Sequence, residues 1–170
     1  LHAEMNKPYS VINDVTLIGS DGVHVPACRA LLAVRSKHFQ QLFYGHRTKC
    51  PSYTFSFPSS VVQVFVKYCY TDSVDRPCKF NDETAIALVQ LQMVGEQSGI
   101  TKIHEDVMDI FCAQLHAHPG CICAVMEELM NRGCINNVEG DSPVDSYTGL
   151  WELCFERIIE APIESLLLED

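Results

Sequence analysis

Four potential metal ligands lie close together in the C-terminal half of the chain. His116, His118, Cys121 and Cys123 form the pattern His-x-His-x-x-Cys-x-Cys. Imidazole and thiolate suit zinc, but the Cys-x-Cys spacing is tighter than in most structural zinc sites. Pro119-Gly120 also forces a sharp turn between the two pairs. We therefore expect no metal and no cofactor, and we interpret this stretch as a helix–helix linker with packed thiols; a zinc site is the alternative.

The patterns that position a catalytic nucleophile are missing from the sequence. Nine cysteines and seven histidines could supply a Cys/His pair. No nucleophile elbow or glycine-rich phosphate loop accompanies them, so we predict no enzymatic activity. The odd cysteine count, with cysteines at apolar helical positions such as Cys69 and Cys154, argues against a disulfide framework. It indicates a reducing compartment, the cytoplasm or the nucleus.

Length and hydropathy limit the architecture. The 170 residues fit one domain or one and a half. No apolar run reaches the roughly 18 residues of a membrane span, and the N-terminus lacks the basic and apolar regions of a secretory signal. We expect no membrane partner. The chain starts with Leu1 rather than Met, so we expect a fragment or a trimmed chain.

The charge of the chain is strongly uneven. The formal net charge is −10, of which residues 1–118 carry −1 (10 basic, 11 acidic) and residues 119–170 carry −9 (2 basic, 11 acidic). An acidic chain without a basic patch repels phosphate backbones, so we expect no nucleic-acid partner. The acidic end is interpreted as a solvated helix face; the alternative is a surface that recognises a basic partner.

Residues 15–57 read as short strands and helices. The sequence Ser20-Asp21-Gly22 is typical of a turn between two strands. Ser36 is a plausible N-cap, and Gly45 ends the helix that Ser36 begins. The predicted elements are strands at 15–18 and 23–25, helices at 29–34 and 37–44, and a strand at 53–57.

The segment Val61–Tyr70 fits two structures. Val62, Val64 and Val66 alternate as in a strand, whereas Val61, Val64 and Phe65 begin a helical spacing. Valine content favours the strand, but Ser60-Val61-Val62-Gln63 is a capping box, which favours the helix. The pattern alone leaves the two alternatives nearly even.

Helices dominate the rest of the chain. Asp82 caps a helix that we expect to run to about Val94, with a break at Gly95–Gly99. An apolar stripe from Ile103 to Leu115 predicts another helix. Beyond Pro119-Gly120 we predict helices at 121–132 and 147–160, a polar loop between them, and a last short helix opened by Pro162.

The ordered series of motifs resembles a BTB/POZ domain. It comprises the Asp-Val strand at Asp14, Leu-Leu-Ala-x-Arg-Ser, x-Phe-x-x-Leu-Phe, and Tyr-Thr near residue 70, followed by two helices. The resemblance implies an α+β fold with a small mixed β-sheet flanked by helices, and it favours the helix at Val61–Tyr70. We therefore divide the chain into an N-terminal segment (1–11), a BTB/POZ domain (12–118), and a partial helical extension (119–170) similar to a BACK or three-box region.

The resemblance also implies roles for single residues. Asp14 and Arg29 match a charged pair at the family's dimer groove, or alternatively form an ordinary buried pair. The dimer would use Phe39, Leu42 and the first two helices alone, or be weak. The family's usual His is Cys28 here, and Asp72 stands where Gly is usual. Asp tolerates a left-handed turn less well than Gly does.

Some BTB domains recruit a cullin through one face, which maps here onto aromatic residues. Large aromatic side chains suit such a contact because they bury area at low entropic cost. The loop His46–Tyr53 lacks the Glu that often accompanies this face in the family, and core packing of the tyrosines is the alternative. The corresponding residues are Phe43, Tyr44, His46, Tyr53, Tyr68 and Tyr70.

The resemblance therefore predicts a protein–protein interaction module that forms a homodimer. The first hypothesis is a substrate adaptor that docks a cullin-RING ubiquitin ligase. The alternative is a structural homodimerisation or scaffold domain without ligase contact. A channel-type tetramerisation domain, a distant relative, is disfavoured by the helical extension and the missing membrane segment. The sequence does not reveal a recruited substrate.

Overall fold

The computed structural model of the protein describes residues 13–45, 51–132 and 145–160. These residues contain three strands and seven helices and divide into two compact units. Unit 1 consists of the described residues up to Val74 together with Gln90–Ile103, and unit 2 of Asp75–Val89 together with the described residues from His104 onward. Across the described ranges, no helix combines the length and the hydropathy that a membrane span requires.

Unit 1 contains a small mixed sheet. Its strands are β1 (Val15–Ile18), β2 (His24–Ala27) and β3 (Ser52–Thr54), in the order β2-β1-β3. β1 pairs antiparallel with β2 and parallel with β3. The prediction of a small mixed sheet flanked by helices is confirmed, although β2 starts one residue later than expected and β3 is shorter.

Two short helices follow the first hairpin. They are α1 (Arg29–Arg35) and α2 (Lys37–Tyr44). Ser36 separates them, and its hydroxyl accepts a hydrogen bond from the Phe39 N–H at 3.2 Å. The same hydroxyl donates to the Ser98 carbonyl. Ser36 is therefore the predicted N-cap of α2, and it also ties the helix pair to another segment of unit 1.

The ambiguous segment is helical. It forms α3 (Ser59–Thr71), with Val61, Val62, Phe65 and Val66 buried. The helix starts one residue before the predicted capping box, and Ser59 donates both its N–H (3.1 Å) and its hydroxyl (2.7 Å) to the Asp21 carboxylate. A residue 38 positions earlier thus supplies the N-terminal cap that we had assigned to the box.

The expected break at Gly95–Gly99 is wrong. Helix α4 (Asp82–Ser98) continues through Gly95. It ends instead at Gly99, whose φ of 68° places it in the left-handed region. The Ile100 N–H bonds to the Gly95 carbonyl at 2.8 Å and the Gly99 N–H to the Glu96 carbonyl at 2.9 Å, which together form a Schellman ending.

Packing explains the glycine inside α4. A Cβ atom built on Gly95 would lie 3.0 to 3.2 Å from the buried side chain of Ile103. The chain approaches too closely here for any larger residue to fit without a shift. Gly95 is thus a packing residue rather than a helix terminator.

Three further helices belong wholly or mostly to unit 2. They are α5 (Lys102–Gln114), α6 (Cys121–Asn131) and α7 (Asp145–Glu160). Their buried apolar residues include Phe111, Ile122, Leu129 and Leu150. The predicted helices beyond Pro119-Gly120 are confirmed, whereas the last helix expected at Pro162 lies outside the described residues.

Candidate interaction surface

The sequence places an aromatic residue at the exposed end of α2. Phe39 and Phe43 are buried, but Tyr44 is 61% exposed. Gly45 follows Tyr44 and ends the helix, with its N–H bonded to the Gln41 carbonyl at 2.9 Å. The result is a large amphipathic side chain that is exposed to solvent at the end of α2.

Phe39 itself lies at the centre of a cluster of rings. It is fully buried, and its ring centroid lies 5.3 to 6.2 Å from those of Phe43, Tyr53, Phe55 and Phe65. Leu42 on the same helix is half-buried. Of the two residues assigned to a dimer contact on α2, only Leu42 thus has side-chain surface to offer, and Phe39 supports the helix from within.

Asp14 and Arg29 meet at the start of α1. The Arg29 backbone N–H donates to the Asp14 carboxylate at 2.8 Å, whereas the Arg29 Nε lies 4.0 Å from it. A carboxylate at this position accepts a hydrogen bond from an otherwise unpaired N–H of the first turn. Its negative charge also interacts favourably with the dipole of the helix. The Asp14 side chain is 53% exposed, so the pair is not a buried one.

The Arg29 guanidinium lies against an aromatic ring. Its Cζ is 5.8 Å from the centroid of the Phe43 ring. Its Nε is buried and has no hydrogen-bond partner among the described residues. The Nε is therefore a buried donor without a partner among the described residues, in the region where the resemblance places the dimer pocket.

Tyr70 has a structural contact that its aromatic character did not suggest. Its hydroxyl accepts a hydrogen bond from the Cys28 N–H at 3.1 Å and donates to the Asn13 side chain at 3.4 Å. Burial, followed by the neighbouring Cys28, raises the pKa of Tyr70. Cys28 makes no side-chain cap, so this tyrosine satisfies a backbone donor at the start of α1.

The remaining candidates for cullin contact differ in exposure. Phe43 and Tyr68 are buried, at 6% and 1% exposure, while Tyr53 and Tyr70 are half-buried. His46 lies outside the described residues. Tyr44 is the one member of the five described candidates that is mostly exposed.

The four potential zinc ligands do not form a metal-binding group. His116, His118 and Cys123 are exposed and Cys121 is buried at the start of α6. In the described part of the chain, no three His, Cys, Asp or Glu side chains are arranged to hold a metal ion. The His118 ring instead lies 5.8 Å from that of Phe80.

Sequence reasoning did not single out Val34, the most exposed large apolar residue of unit 1 among the described residues. Val34 on α1 is 81% exposed. Helix α1 spans only seven residues, and apolar residues occupy all its sides from Ala30 to Val34. A stretch this short has no periodicity that would distinguish an exposed valine from a buried one.

Comparison with known families accounts for most of this arrangement. A sequence model of the BTB/POZ domain matches residues 4–106, more than half of the chain. Comparison with curated proteins gives no match. The matched range contains the mixed sheet, the α1–α2 pair, α3 and α4, in the order that the motifs predicted. The chain therefore belongs to the BTB/POZ domain family.

Proposed function

We propose that the chain is a self-associating substrate adaptor that docks the cullin scaffold of a ubiquitin ligase. BTB/POZ domains are protein-interaction domains, and membership of the family makes the chain a protein–protein interaction module. The adaptor role and the self-association are finer statements, and each needs a surface of its own.

Exposure of Tyr44 is the observation that carries the adaptor proposal. A tyrosine with 61% of its surface in solvent, at a helix end, is available to a partner without rearrangement of the core. Tyrosine is enriched among the residues that dominate binding energy, because it buries a large area with few rotatable bonds. Tyr44 also lies on the face that the family resemblance assigns to the cullin.

A pull-down with a cullin N-terminal domain tests this proposal. Tyr44→Ala should weaken capture at least about tenfold, the size expected for a central aromatic anchor. Val23→Ala is the matched control, since Val23 is also an exposed large apolar residue (47%) of unit 1. Tyr70→Ala is a poor test, because it also removes the hydroxyl that accepts the Cys28 N–H. Tyr70→Phe removes the same hydroxyl but keeps the ring, so comparison of the two variants separates the two effects.

The outcomes separate the two candidate functions. Capture by wild type that Tyr44→Ala abolishes and Val23→Ala preserves supports the adaptor. If wild type and both variants bind equally well, the cullin contact lies on another surface. If wild type captures no cullin at all, the adaptor proposal is rejected.

A homodimerisation scaffold without ligase contact is the second candidate. One observation favours it: four of the five described cullin-face candidates are buried or half-buried. The sequence of residues 46–53 also lacks a Glu. Self-association is tested by sedimentation velocity over a dilution series with Arg29→Met, which keeps the Arg29 backbone N–H on Asp14. A dimer weakened in this variant supports the pocket, and a monomeric wild type at all concentrations rejects self-association.

A further inference from the structure

Helix α7 carries an apolar stripe that is only partly buried within its own unit. Trp151, Phe155 and Ile159 recur every four residues and therefore share one face of the helix. Ile159 is 82% exposed, Phe155 is 45% exposed, and Trp151 is half-buried. The Trp151 and Phe155 rings meet edge to face at 5.1 Å. We call these three residues the α7 stripe.

The stripe is separate from the residues that hold α7 in place. Leu150, Leu153 and Cys154 are buried and form the inward side of the helix. A helix that only covered its own core would need one apolar face with polar residues opposite. A second, exposed apolar row on the same helix is the usual mark of an interaction surface.

Acidic side chains border the stripe. Glu152, Glu156 and Glu160 each follow one stripe residue and so form the next row around the helix. Glu152 and Glu156 are exposed, whereas Glu160 pairs with Arg157 at 2.6 Å. Arg157 is the only basic residue of α7, and residues 119–170 carry a net charge of −9. The stripe thus presents apolar area beside negative charge.

The charge identifies which occupant fits. A second copy of this surface would bring like charges together, which opposes association. Residues 161–170 contain three acidic and no basic residues, so the following segment is disfavoured for the same reason. We propose that the α7 stripe docks a basic amphipathic helix of a partner protein, with its apolar row on the stripe and its Lys or Arg residues beside Glu152 and Glu156.

The chain contains a built-in reporter for this contact. Trp151 is the only tryptophan in the sequence and lies within the stripe. Titration of the 170-residue chain with a synthetic helical peptide, carrying Leu at helical spacing and Lys on the flanks, should shift its emission to shorter wavelength. Binding should weaken as NaCl is raised from about 0.05 to about 0.5 M, because salt screens exposed charges.

Two variants and two peptides make the test specific. Ile159→Ser should weaken binding at least about tenfold, because it removes an apolar side chain from the contact. The double variant Glu152→Lys/Glu156→Lys should weaken binding of the basic peptide and allow a Glu-flanked peptide to bind. The control Val34→Ser removes an equally exposed apolar side chain from unit 1 and should leave peptide binding unchanged. A scrambled Lys/Leu peptide of the same composition should bind at least about tenfold more weakly.

Several results would overturn the proposal. One is no emission change with the basic peptide; another is equal binding of the scrambled peptide, which would show charge attraction alone. If wild type sediments in a concentration-dependent way and Ile159→Ser does not, the stripe binds a second copy of the chain. The stripe would be assigned to residues 161–170 by two results together: wild type does not bind the peptide, and the Trp151 emission shifts to longer wavelength in Leu166→Ser/Leu167→Ser. The cullin test concerns Tyr44 and fails or succeeds independently.

Discussion

The Asp21 carboxylate links the first hairpin to the start of α3. It accepts the Ser59 N–H, the Ser59 hydroxyl and, at 3.2 Å, the Val23 N–H. The hydrogen bond from the Ser59 side chain is the largest of the effects that lower the pKa of Asp21 below its ordinary value of 3.8. The folded state therefore favours the ionised form of this residue.

The stability of the protein should consequently depend on Asp21 at acidic pH. Because the pKa is lowered on folding, the ionised carboxylate stabilises fully above pH 3.8, and this contribution disappears as the pH falls below that value. In urea unfolding, the free energy of unfolding of Asp21→Asn should fall less steeply with decreasing pH than that of wild type over this range. Ser59→Ala should reduce the slope too, and parallel curves for wild type and Asp21→Asn would contradict the expectation.

Residue by residue, the sequence predicted roles within local segments better than roles between distant ones. Ser36 was identified as a cap because its partner is three residues away. The bond from the Cys28 N–H to the Tyr70 hydroxyl spans 42 residues, and no local pattern indicates it. Likewise, burial of Phe39 and Tyr68 depends on packing between elements, so aromatic type alone did not distinguish a core ring from a docking ring.

At the scale of elements, α3 ends at a residue that is unusual for its conformation. Asp72 has φ of 60° in the left-handed region and is the only non-glycine residue with positive φ among the described residues. Its carboxylate pairs with Arg35 Nη1 at 2.9 Å, and its carbonyl accepts from Lys102 Nζ at 2.9 Å. The charge pair offsets part of the strain that glycine would avoid.

Replacement of Asp72 by Gly should therefore have an effect that depends on Arg35. In the wild-type background, we expect relief of strain, about 0.5–1 kcal/mol, to be largely offset by loss of the exposed ion pair. In an Arg35→Ala background, Asp72→Gly should stabilise by about the full amount. Urea unfolding of the four chains measures the difference; the same effect in both backgrounds would show that the pair contributes nothing.

Element types were predictable where periodicity or caps were strong, and boundaries failed where packing decides them. The hairpin, α2 and the helices after Pro119-Gly120 follow from alternation, capping and apolar spacing. The break at Gly95 was predicted because glycine ends helices more often than it packs inside them. Its contact with Ile103 depends on tertiary packing, which no sequence pattern indicates. The choice between strand and helix for Val61–Tyr70 came from the family resemblance, not from its valines.

For the whole molecule, the α+β fold and the BTB/POZ family were both predictable from the order of motifs. The match at residues 4–106 confirms the family, and the helices beyond it are consistent with the expected extension. The predicted boundary at residue 119 stays a prediction, as does the BACK-like nature of the extension. The two compact units each carry a candidate surface of a different kind: an exposed tyrosine in unit 1, and an apolar stripe beside acidic residues in unit 2.

Each unit contains a buried thiol with a strongly raised pKa, and the reactivity of that thiol can report local opening of the unit. Cys69 in unit 1 and Cys154 in unit 2 are almost fully buried, and burial raises the pKa of each thiol from 9.0 to about 12. Since the thiolate is the reactive form, the raised pKa makes both thiols much less reactive than an exposed cysteine. By contrast, Cys78, Cys112 and Cys123 are exposed.

Alkylation of the native chain with iodoacetamide should therefore modify the exposed cysteines long before Cys69 or Cys154. In urea, all of them should react, since unfolding removes the burial that protects the two thiols. Peptide mass spectrometry at several times gives each rate, and the Cys69 and Cys154 rates report opening of unit 1 and unit 2 separately. If Cys154 reacts as fast as Cys123 in the native chain, unit 2 opens readily, and α7 then lacks the fixed inward face on which the stripe depends.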